Sequence, residues 1–148
     1  MLVKTLTLTA LALTVLALAQ PNLSRAADID LETITVEELN KEGPLIQADL
    51  DMYVKFFKYF IASMKNTTST DFEAFMKQIA NDFIKASKIS PVRLRLITEK
   101  IPYALILVQD PDTALKPDNS YMRLSPAELE LVKSNFDAIN EVISELGQ

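Results

Sequence analysis

The chain has 148 residues, a formal net charge of −5, and neither histidine nor cysteine. Without histidine the commonest general base and imidazole metal ligand are missing; without cysteine there are no disulfides, thiol nucleophiles, thiolate metal sites or cysteine-linked haem. Its only two glycines, Gly43 and Gly147, exclude a glycine-rich phosphate cradle, and an acidic chain with no nucleic-acid-binding motif is not expected to bind nucleic acid.

At the N-terminus, Lys4 precedes an uncharged run of Leu, Ala, Val and Thr over residues 6–19. That run is short of the ~18–20 apolar residues a spanning helix needs. Small residues follow at Ala17 and Ala19, and again at Ser24 and Ala26. The pattern predicts a secretory signal peptide over residues 1–26, cleaved after Ala26 or after Ala19, and a single helical-bundle domain over residues 27–148. The expected location is periplasmic or secreted, with membrane association only through an uncleaved signal. An exported domain of about 120 residues without cysteine must be held by its core rather than by cross-links.

Charge is segregated along the chain. Residues 28–54 carry net −7, residues 55–100 net +5 and residues 101–148 net −5. One reading is that the basic middle packs beside the acidic ends within one fold. The other is a basic face, with Lys55, Lys58, Lys65, Lys77, Lys85, Lys88, Arg93 and Arg95 attracting an anionic headgroup or polymer.

Residues 28–34 are acidic and are expected to be extended or loose. Thr35-x-x-Glu38 forms a capping box that starts a short helix, which Gly43 is expected to end in the left-handed conformation before Pro44. The first long helix is predicted over residues 47–65. Ile46, Leu50, Tyr53, Phe57, Phe60 and Met64 step by three and four along one face, with Asp51, Lys55, Lys58 and Lys65 opposite. A polar loop leads to Thr70-x-x-Glu73, a second expected capping box. The helix it starts, residues 71–87, has a stripe of Phe72, Phe75, Met76, Ile79, Phe83 and Ile84. Ser90-Pro91 starts the third long helix, with Leu94, Ile97, Ile101, Leu105 and Val108 on one face. Pro102 predicts a kink or break within it. An irregular stretch follows to residue 124. Ser125-Pro126, with Glu128 completing a capping box, opens a last helix to about residue 146, striped by Leu129, Val132, Phe136, Ile139, Ile143 and Leu146. The fold expected is all-α: a small bundle of four main helices plus a short N-terminal helix.

Two clusters are candidate sites. Asp110, Asp112 and Asp118 suggest calcium, but an EF-hand loop from Asp110 needs Gly at 115 and Glu at 121, where this chain has Leu115 and Tyr121. Turn-forming and capping Asp side chains account for the spacing, and no metal or other cofactor is expected. The aromatic cluster Tyr53, Phe56, Phe57, Tyr59 and Phe60 points over more than one helical face. Either the helix packs several neighbours at once, or these rings form a ligand-binding surface for an apolar small molecule or a partner protein. With no catalytic residue set in view, the function expected is a non-catalytic binding or interaction module for an apolar ligand, an envelope component or a partner protein. A structural, oligomeric assembly role is the first alternative. A carboxylate-dependent enzyme with a divalent cation is the second.

Overall fold

The computed structural model describes residues 28–112 and 117–147. The signal peptide expected over residues 1–26 and its two expected cleavage points therefore lie outside the described residues. Every regular element within them is helical: α1 Val36–Asn40, α2 Gln47–Asn66, α3 Phe72–Ser87, α4 Pro91–Gln109, α5 Pro126–Ser134 and α6 Phe136–Ser144. Short 3-10 turns occupy Leu31–Thr33, Ser120–Met122 and Glu145–Gly147. The chain is an all-α bundle of long helices with one short N-terminal helix.

The helix starts follow local chemistry. The Thr35 and Ser125 hydroxyls accept from the Glu38 and Glu128 N–H groups, three residues on, and the Glu38 and Glu128 carboxylates reach back to the Thr35 and Ser125 N–H groups, closing both expected boxes. Ser90 caps α4, with Pro91 in its first turn. The α3 start departs from expectation: Asp71, not Thr70, is its N-cap and accepts from the Ala74 N–H at 3.0 Å. An ionised carboxylate is a stronger acceptor than a hydroxyl and suits the positive end of the helix dipole.

Two further departures concern helix ends. Gly43 does not take a positive φ; the left-handed residue is Lys88, the C-cap of α3, with φ 58°. The Gly43 and Pro44 carbonyl oxygens instead accept hydrogen bonds from Arg93, at 2.9 and 2.8 Å. The last helix is not continuous but divides at Asn135, whose backbone (φ −106°, ψ 5°) leaves the helical region. The Asn135 amide donates back to the Leu131 carbonyl and exchanges hydrogen bonds with Gln47. A short amide side chain of this kind competes with the helix's own ladder. By contrast, α4 runs on through Pro102 rather than breaking, with Ile101, Ala104 and Leu105 buried around it. Tertiary burial offsets the lost hydrogen bond.

The central helix is α4. It packs against α1, α2, α5 and the turns at Leu31–Thr33 and Ser120–Met122. Leu94, Leu96, Ile97, Ile101 and Ala104 are all at most 1 % exposed. On α2 the core residues are Leu50, Tyr53, Phe56 and Ile61, whereas Ile46 and Met64, expected in the stripe, are 55 % and 43 % exposed. They sit at the two ends of α2, beyond the reach of its neighbours' cover.

The segregated charges meet in the fold. Lys77 pairs with Asp30, Lys85 with Asp28, Arg93 with Glu42 and Asp49, and Lys100 with Glu128. Each of these pairs joins the basic middle to an acidic end. The Glu128 carboxylate is buried and accepts three hydrogen bonds: from the Leu45 N–H at 2.9 Å, Lys100 Nζ at 2.6 Å and the Ser125 N–H at 2.8 Å. Burial pushes its pKa up, but the bonds from Lys100 and the Ser125 and Leu45 N–H groups outweigh it and hold the pKa at about 2. A carboxylate with a depressed folded-state pKa stabilises the fold above its unfolded value near 4.5, and that contribution is lost as pH falls towards 2. Urea midpoints measured from pH 7 to pH 2 are expected to fall by the equivalent of about 3 kcal/mol more in the wild type than in Glu128→Gln, and chiefly below pH 4.5.

Candidate functional site

The segment expected to be extended or loose is fixed, with Asp30 and Ile34 extended about the Leu31–Thr33 turn. Asn81, buried on α3, accepts from the Ile29 N–H at 2.7 Å and donates to the Ile29 carbonyl at 2.8 Å, so one amide satisfies both backbone groups of one residue. Arg95 on α4 donates to the carbonyl oxygens of Leu31 at 2.9 Å and Ile34 at 2.6 Å, and its Nε holds Glu99 at 2.8 Å. Glu99 in turn accepts from the Tyr121 hydroxyl. Residues 28–34 thus form a strap laid across α3 and α4, its backbone tied by the Asn81 side chain at one end and the Arg95 side chain at the other. Sequence periodicity does not reveal this, since the partners of Asn81 and Arg95 lie 52 and 61–64 positions away along the chain.

Between the strap, α2, α3 and α4 lies an open groove of about 210 Å³. Phe56, Met76, Ala80, Ile29 and Leu31 give it an apolar lining, and Thr98 contributes from α4. Asp30, Glu32, Glu73 and Lys77 complete it. The volume is below the roughly 300–1,000 Å³ of pockets for drug-sized ligands, so the groove suits a smaller molecule. Its lining is apolar, and its charged groups can orient a guest.

The five aromatic candidates separate by environment. Tyr53 and Phe56 are buried, Phe57 and Phe60 half-buried against the core, and Tyr59 is 36 % exposed. Burial pushes the Tyr53 hydroxyl pKa well up. The rings form a connected series: Tyr53 with Phe57 (centroids 4.7 Å apart), Phe57 with Phe56 and Phe60, Phe56 with Phe83 (5.2 Å), Tyr59 with Phe83 and Phe60 with Phe75. Tilted and edge-on contacts of this kind are favourable beyond their area. The series joins α2 to α3, and Phe56 brings it to the groove wall.

The basic residues of the middle segment differ in how they are engaged. Lys77 and Lys85 pair with acidic side chains, Arg93 and Arg95 tie down backbone, and Lys55, Lys58, Lys65 and Lys88 are exposed. Asp110, Asp112 and Asp118 are exposed, and among the described residues no group of three or more acidic side chains is placed to hold a metal ion. No described helix is long and apolar enough to cross a membrane.

Truncation separates core rings from surface ones. Phe56→Ala is expected to lower stability by about 3–5 kcal/mol, Tyr59→Ala by about 1 kcal/mol or less, and Phe57→Ala by an intermediate amount, as read from urea denaturation.

In comparisons with family models, curated proteins and solved structures, this chain matches none, so the groove's own geometry carries the functional reading.

Proposed function

We propose that this chain is an exported, non-catalytic helical binding protein whose ligand is a small apolar molecule held in the groove between the strap and α3. The observation that carries the reading is the groove itself: an open, apolar recess at the edge of the core, lined by Phe56, Met76 and Ala80, in a chain without histidine or cysteine. Export rests on the signal-like pattern of residues 1–26.

Titration with toluene, a neutral apolar molecule of the groove's size, followed by amide chemical shifts, tests this. The wild type is expected to bind one toluene with shifts at Phe56, Met76 and Ala80, and Ala80→Leu, which fills the groove, is expected to lose that binding while retaining its helical circular dichroism. Absence of toluene binding by the wild type, or equal binding by a folded Ala80→Leu variant, contradicts the proposal.

A second reading, assembly into oligomers, draws on another observation. Phe72 is 63 % exposed, and Met64 and Leu146 are 43 % and 40 % exposed. Met64 and Leu146 line one shallow recess together, and adjoining apolar side chains of this kind are the sort that an assembly covers. Light scattering at high concentration distinguishes the two, since assembly requires a mass above that of the monomer.

A further inference from the structure

We infer that the groove selects a cation with a short apolar body, such as a protonated alkyl or aryl amine, over neutral and anionic molecules of the same shape. The inference rests on the groove being a ligand site and adds the charge class of its ligand.

The lining carries three carboxylates, Asp30, Glu32 and Glu73, against one ammonium, Lys77. Lys77 Nζ is shared: it lies 3.0 Å from Glu73 and 3.5 Å from Asp30. Glu32 has no ion-pair partner among the described residues, and it is exposed. The neighbouring cations do not redress the balance. Arg95 donates to the strap carbonyl oxygens of Leu31, Glu32 and Ile34, but its charge is paired with Glu99, and Lys85 lies against Asp28 at 3.8 Å. The groove therefore has two negative charges in excess beside an apolar wall. An ammonium placed there gains attraction from the rim while its alkyl or aryl body covers Phe56, Met76 and Ala80. A carboxylate in the same pose meets repulsion. The basic middle segment, taken by itself, suggests the opposite preference, for an anionic headgroup. The fold reverses this because the strap brings Asp30 and Glu32 to the groove and its one lysine is already engaged.

Hexylamine, hexanol and hexanoate present one apolar chain with charges +1, 0 and −1 at pH 7. Their affinities follow from titration by amide chemical shifts of Phe56 and Ala80 in the full mature chain. At low salt hexylamine is expected to bind about fivefold tighter than hexanol, and hexanoate at least fivefold weaker than hexanol. The spread should shrink towards unity by about 0.5 M salt, because the rim is solvent-exposed. Glu32→Gln is expected to narrow the hexylamine-to-hexanol ratio about twofold. Equal binding of hexylamine and hexanol overturns the charge selectivity and leaves the apolar-groove reading standing. Hexanoate binding tightest overturns the charge assignment outright. Binding of none of the three overturns the groove reading and this inference with it.

Discussion

Glu128 joins three parts of the chain that lie far apart in sequence. Its carboxylate takes the Leu45 N–H from the α1–α2 connection, the Lys100 ammonium from the middle of α4, and the Ser125 N–H at the start of α5. Buried charges are costly to desolvate, and this one is tolerated because its oxygens are supplied with donors and its charge has a partner. The bonds are also directional, which apolar contacts are not. They set which turn of α4 lies beside α5 and where the chain returns before α2. Arg93 does the same on the other side of that connection. It holds Asp49, Glu42 and the Gly43 and Pro44 carbonyl oxygens, so the turn is fixed by one guanidinium rather than by glycine's conformational freedom.

Apolar burial supplies the bulk of the driving force, and these buried ion pairs supply the register. The division matters for the groove. Its floor belongs to the core, through Phe56 and Ala80, whereas its outer wall is the strap. The strap stays in place through Asn81 and Arg95, whose partners are backbone groups of residues 29–34. A wall held by a few hydrogen bonds over an apolar floor can yield to a guest more readily than a wall of packed helix. The same arrangement decides the charge at the site, because the strap is acidic at alternate positions, Asp28, Asp30 and Glu32.

Helix type and most helix starts were legible in the sequence. Spacing by three and four identified α2, α3 and α4, and the Thr35–Glu38, Ser90-Pro91 and Ser125–Glu128 signatures marked the starts of α1, α4 and α5 as the structure has them. These features depend on neighbours along the chain. The departures depend on contacts across it. Asn135 divides the last helix through a partner on α2, Gly43 is relieved of its capping role by Arg93, and Pro102 is carried within a helix by the burial around it. Among the candidate site residues, only Phe56 was both named from the sequence and found at the groove. Glu128 was expected to close a capping box, which it does, but its burial against Lys100 has no sign in the local sequence. A pairing between residues 28 positions apart has no local signature, although the segregation of charge along the chain did indicate that the basic middle would meet the acidic ends.

That buried ion pair is tested most directly by a double-mutant cycle. Stabilities of the wild type, Lys100→Met, Glu128→Gln and the double variant, measured by urea denaturation at pH 7, give the coupling between the two side chains. If the pair sets the register of α4, each single variant loses about 3–5 kcal/mol, and the double variant loses at least about 2 kcal/mol less than their sum, since it leaves no unpaired charge buried. Additive losses, or single variants within about 0.5 kcal/mol of the wild type, would contradict that role.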